Sequence, residues 1–318
     1  MSVRLRALAR SNDEACEAAA GEQLTRGGSA IDAVLAGYFA AAGAYPGVLL
    51  GAVTLLLGGT GSGERPFDGR VRQPGKNAKR PRGTVADATP PATARVGVPC
   101  SVPALAVSLG YGAQATLGRL VQPGVASARE RGAERRAAVL TRVGQVGALA
   151  FSEPELSLAL VRAFGPPTGG LVTPADFAHP QSLDIPAVRV ERSSEMVLEA
   201  PWAESASTLP GRGVAVSAID INGLFAAVSF DISPEALPLD ELELSCPLLA
   251  APTLRGVPRV APGTPLPSSA PLWISYDASG SAVELWIAPT SLTPQSSEGR
   301  RLGIRRNNTA RTVAALEG

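Results

Sequence analysis

The sequence predicts a layered α+β domain, with helices gathered in its first half and antiparallel strands in its second. Three observations carry that reading. Apolar-periodic runs with helix-start signals occupy much of residues 11–165, and short alternating runs joined by turn residues occupy much of residues 188–287. The regular strand–helix alternation that builds a parallel sheet is absent. At 318 residues, with 45% apolar and 18% charged side chains, the chain can bury a sizeable core.

Taken in order, Ser11-x-x-Glu14 reads as a capping box before an Ala/Glu-rich run that stops at Gly27-Gly28, which predicts a helix over 11–26. Ser29-x-x-Asp32 opens a second helix with Ile31, Val34, Leu35, Tyr38 and Phe39 on one face, completing a helical hairpin. Residues 30–57 carry only the charge of Asp32 and are long enough to cross a bilayer, but Tyr45-Pro46-Gly47 interrupts them. A helix, a turn and two short strands, 48–50 and 53–57, account for the same residues without a membrane. Residues 58–95 are rich in Gly, Pro and Arg and predict a loop, with Pro66-Phe67-Asp68-Gly69 as a turn. The basic run Lys76, Lys79, Arg80 and Arg82 has no interleaved aromatic to stack on bases, so it reads as solvated.

Helices are expected over 104–109, 125–131 and 134–143, and another from Ser152-x-x-Glu155 to about Gly165-Pro166. Val188 and Val190 then alternate with Arg189 and Glu191, and 196–200 continues as a second strand. Strands 214–219 and 224–230 join through Asn222-Gly223, and strands 272–276 and 283–287 join across Asp277-Ala278-Ser279-Gly280.

Composition excludes several functions. With 29 basic and 28 acidic side chains the net charge is +1, which gives no global attraction to nucleic acid or membrane. Cys16, Cys100 and Cys246 lie far apart, with neither metal-ligand nor disulfide spacing, and read as thiols of a reducing compartment. The sole histidine, His179, rules out multi-histidine metal cages and leaves a Ser-His-Asp triad resting on one loop-like residue. Asp13 and Glu14 arrive before any apolar stretch of secretory type, so a cytoplasmic protein without metal or cofactor is expected.

Six segments in order resemble the gamma-glutamyltranspeptidase family of N-terminal-nucleophile hydrolases. LTRGGSAIDAVLAGYFA lies within residues 17–42 and FDGR at Phe67 to Arg70, followed by VGVPCSVPAL at Val96 to Leu105 and GGLVTPADFA at Gly169 to Ala178. SAIDINGLFAAVS and APGTPLPSSAPLWI complete the series. The resemblance implies an αββα sandwich of the N-terminal-nucleophile hydrolase type with peripheral elements missing. It implies one domain over 1–318, made of a large-subunit-like part, 1–212, and a shortened small-subunit-like part, 213–318.

In the family a threonine begins the first strand of the small subunit and, after self-cleavage, attacks as an N-terminal nucleophile with its own amine as base. Placed on that pattern, this chain has Gly213 at the nucleophile position, which leaves it uncleaved and without the family's catalytic residue. Thr208 and Ser217 are the nearest hydroxyls, five residues before and four after, each more than roughly 10 Å away along a strand. Arg70 matches the family's carboxylate-binding arginine, and Ser268 and Ser269 match the serines that hold the same end of the substrate. Val71, Ser233 and Pro289-Thr290-Ser291 stand where the family has an acid, an asparagine and the glycines of the oxyanion hole.

The reading is thus a catalytically degenerate gamma-glutamyltranspeptidase-like protein, a structural or regulatory subunit that assembles with itself or with a companion protein. The alternatives are a transferase or amidohydrolase with an unconventional nucleophile, and a non-catalytic binder of a gamma-glutamyl or amino-acid ligand. Nucleic acid and membrane partners are not expected. Trp202, Trp273 and Trp286 are expected near faces left uncovered by the missing elements.

Overall fold

The structure, a computed structural model, describes residues 6–60, 63–79, 83, 88–178, 185–192, 195–203, 212–233, 235–267, 271–287, 302–307 and 312–317. Where Ser11-x-x-Glu14 predicts a helix start, the chain forms a strand, β1 (Leu8–Ser11), before α1 (Glu14–Thr25). Asp13 is the true cap, its carboxylate accepting the Cys16 N–H at 3.2 Å, while Glu17 takes the Ser11 N–H at 2.7 Å. The next helix, α2 (Ala30–Ala44), begins as its sequence dictates. Ser29 Oγ accepts the Asp32 N–H at 3.2 Å and the Asp32 carboxylate accepts the Ser29 N–H at 2.8 Å.

The strands that follow are β2 (Val53–Gly59) and β3 (Arg65–Gly69), and then come the helices α3 (Ser101–Ser108), α4 (Leu117–Leu120), α5 (Gln122–Glu130), α6 (Glu134–Val146) and α7 (Pro154–Phe164). After α7 the longer elements are all strands: β4 (Val188–Arg192), β5 (Glu195–Glu199), β6 (Arg212–Ile219), β7 (Leu224–Ile232), β8 (Ala236–Leu239), β9 (Leu244–Pro247), β10 (Leu272–Tyr276), β11 (Ala282–Ile287), β12 (Leu302–Asn307) and β13 (Thr312–Glu317). The first sheet runs β1-β6-β7-β2-β3 and the second β13-β12-β11-β10-β5-β4, both antiparallel, with β8-β9 a separate ribbon.

Strand periodicity sorts β6 between two cores. Val214, Val216 and Ala218 face a core shared with α1, α2, α5 and α6, whereas Ala215 and Ile219 face Leu272, Ile274 and Leu285 of the second sheet. The described layers are therefore helices, sheet and sheet. Side chains from Ala30 to Gly43 are buried all round α2, not along one face, because α2 lies between the first sheet and its helical neighbours α1 and α5. That burial explains the long apolar run without a bilayer. Among the described residues no helix is long and apolar enough to cross a membrane.

Three local expectations are corrected. Residues 48–50 form a turn instead of a strand. Pro66-Phe67-Asp68-Gly69 lies within strand β3, not a turn; Pro66 lacks an N–H, but β3 is the sheet edge, where no further strand asks for one. Trp202 is buried, its Nε1–H donating to Thr54 Oγ1 at 3.3 Å, so it marks no uncovered face. Trp273 is part-buried, and the Trp286 side chain lies outside the described residues, as does His179.

Two glycines set how closely α2 and α5 approach. A Cβ on Gly43 would sit 2.0 Å from the Gly124 carbonyl oxygen, and one on Gly124 would sit 2.1 Å from that of Phe39. Gly43→Ala is therefore expected to cost about 3 kcal/mol by overpacking against backbone. Gly21, in α1, has open space where a methyl group would point, so Gly21→Ala should stabilise by about 0.5–1 kcal/mol through helix propensity. Urea unfolding midpoints of the two variants should move in opposite directions.

Candidate functional site

The candidate site lies at one end of the first sheet. A row of paired residues crosses it there, Val214 to Phe230, Phe230 to Val53 and Val53 to Gly69, with Gly213 paired to Asp231 one step beyond. Gly213 at the start of β6 and Arg70 after β3 thus share this end, separated by β7 and β2, or roughly 14 Å of inter-strand spacing. Asn12 secures the β6 end: its Nδ2 donates to the Gly213 carbonyl at 2.8 Å, and its Oδ1 accepts the Ala215 N–H at 3.0 Å. A small cavity of about 50 Å³ is lined by Asp231, the pairing partner of Gly213, and by Arg95, Ser233 and Glu235, among others.

Arg70 is held by one neighbour on each side. Its Nε and Nη2 donate to the two carboxylate oxygens of Asp68, both at 2.8 Å, and its guanidinium lies 4.4 Å from the centre of the Trp202 ring. Asp68 also accepts from Arg72 Nη1 at 3.0 Å, while Arg72 Nη2 donates to the Asp68 carbonyl at 3.2 Å. Burial by itself would raise the Asp68 pKa, but the Arg70 hydrogen bonds and the charges of Arg72 and Arg70 outweigh it and hold the carboxyl below its usual range. Arg72 is a site residue that the sequence reading misses. Its signal is the spacing Asp68-x-Arg70-x-Arg72, which puts three side chains on one side of an extended segment.

The other predicted residues divide plainly. Ser217 is buried within β6, and its hydroxyl donates to the Arg10 carbonyl at 3.3 Å, four residues and about 13 Å of strand away from Gly213. Ser233, beyond the end of β7, donates to the Glu235 carbonyl at 3.0 Å. Thr208, Ser268 and Ser269 lie outside the described residues. Among the described residues no cluster of His, Cys, Asp and Glu suits a metal ion.

No family model and no curated protein matches the chain by sequence. Solved structures do match it in fold. Cephalosporin acylase from Bacillus halodurans is similar over 99% of this chain and 96% of its own, with a TM-score of 0.76 at 13% identity. The gamma-glutamyltranspeptidase from Pseudomonas nitroreducens complexed with L-DON is similar over 60% of this chain and 69% of its own, with a TM-score of 0.51 at 20% identity. That from Helicobacter pylori covers 62% and 70%, with a TM-score of 0.50 at 18% identity. The chain therefore shares its fold with the cephalosporin acylase structure over nearly its whole length and with the gamma-glutamyltranspeptidase structures over about three fifths of it.

Removing the Asp68 charge should leave two guanidinium groups without a buried counter-ion. Asp68→Asn is expected to destabilise the fold by about 3–5 kcal/mol in urea unfolding. Because the folded pKa of Asp68 is depressed, its contribution is present at neutral pH and is lost as pH falls through the acid range below the ordinary carboxylate value. The stability gap between wild type and Asp68→Asn should shrink over that acid range.

Proposed function

We propose that this chain is a catalytically degenerate relative of the gamma-glutamyltranspeptidases that acts as a structural or regulatory subunit. The observation that carries the proposal is Gly213 at the head of β6. This is the position where the resemblance places the nucleophilic threonine, and a glycine brings neither an attacking hydroxyl nor the means to cleave the preceding peptide bond. Ser217 supports the same reading, since its hydroxyl is engaged by a backbone carbonyl well inside the strand. The described scaffold packs around two large cores, with a cation stacked on Trp202, as suits a protein kept for its shape. Assembly with a second copy or with a companion chain would use that shape without chemistry.

Purified protein should give one species of full mass under denaturing conditions and no release of aniline from a gamma-glutamyl anilide. Two fragments dividing between Arg212 and Gly213, or turnover above a heat-denatured control, would sink the degenerate reading. Light scattering should report an oligomer, or a complex with a co-purifying chain. A lone monomer across the micromolar range would remove the subunit role.

A further inference from the structure

A second cavity, sharing no lining residue with the one lined by Asp231, opens at the N-terminus of α3. We infer that it binds a small organic carboxylate, with the anionic head on Arg72 and the first turn of α3 and the apolar body against Phe151, Phe177 and Leu149. The cavity measures about 280 Å³, room for a compact ligand.

Arg72 supplies the main argument. It lines the cavity at only 4% exposure, with Nη1 and Nη2 bound to Asp68 and the guanidinium lying against the Cys100 thiol, and the buried Nε–H meets no oxygen acceptor. A buried guanidinium N–H without such an acceptor is rare and asks for one. The helix start supplies the second. Cys100 is the N-cap of α3 and makes no capping bond, Ser101 Oγ is turned to the Leu49 carbonyl at 2.5 Å, and Pro103 has no N–H. The N–H groups of Ser101 and Val102 are therefore uncapped by any side chain, next to the cavity that Cys100 lines.

The charges nearby agree. Asp176, the acid in the wall, is occupied by the N–H groups of Gly75, Lys76 and Thr173 and by the Thr173 hydroxyl, whereas Lys76 adds a cation at the wall. Burial pushes the Cys100 thiol up in pKa, so it stays neutral and does not compete as an anion. Leu149, 66% exposed, forms an apolar rim, and Phe151 is buried behind it. This site stands independently of whether the chain catalyses anything.

Phenylacetate is the probe, with 2-phenylethanol as its neutral counterpart. Calorimetric titration of the full chain should show saturable one-to-one binding of phenylacetate, and the alcohol should bind at least about tenfold more weakly for want of charge-assisted hydrogen bonds. Phenylacetate should also slow alkylation of Cys100 by N-ethylmaleimide, read on the peptide that contains it. Lys76→Glu, on a part-exposed side chain, should weaken phenylacetate about tenfold without moving the thermal midpoint. Equal binding of acid and alcohol, no binding of phenylacetate, or unchanged affinity in Lys76→Glu would each overturn the assignment.

Discussion

The carboxylate of Asp68, buried between two guanidinium groups, is the constraint on which this end of the molecule depends. One oxygen pair grips Arg70 and presses it onto Trp202, which in turn reaches Thr54 of β2. The same carboxylate holds Arg72, whose backbone bridges to Val98 and to Pro265 and so ties the edge strand to the segments on either side. Removing water from three charges is costly, and the arrangement persists because each oxygen and most of the N–H donors are matched by a partner. Edge strand, indole, helix α3 and the loop at Pro265 are thereby set relative to one another by a single side chain.

Around that point the fold is a problem of faces. The central strands must be apolar on both sides, since one side meets helices and the other meets a second sheet, and β6 and β7 accordingly are buried along almost their whole length. Helix α2 is buried all round for the same reason. Gly43 and Gly124 let α2 and α5 close to backbone contact within the helical layer.

Within such a scaffold, chemistry depends on what stands at strand ends, where side chains can reach a ligand. The end shared by Gly213 and Arg70 retains a clamped cation but presents no hydroxyl on β6 there, while Ser217 is taken up inside the strand. The cavity at α3 is different in kind, because it combines a buried N–H without an oxygen acceptor, an uncapped helix start and an apolar wall. The two places thus offer different chemistry on one fold.

Local signals were enough for the start of α2, which its capping box dictates, and for the β6–β7 hairpin, where Asn222-Gly223 sits between two apolar strands. Other features were decided only by tertiary structure. The Pro66 segment becomes a strand because it finds a sheet edge that tolerates a missing N–H, and β12 forms because β11 offers it an edge, as β12 in turn does for β13. Asp13 displaces Ser11 as the cap of α1 because pairing with β6 draws Ser11 into β1. Arg72 and Cys100, 28 positions apart in sequence, meet only after β3 and α3 pack together. Short-range patterns report the backbone's own preferences, whereas strand pairing and buried charge are contacts between distant segments, and no local pattern specifies their partner.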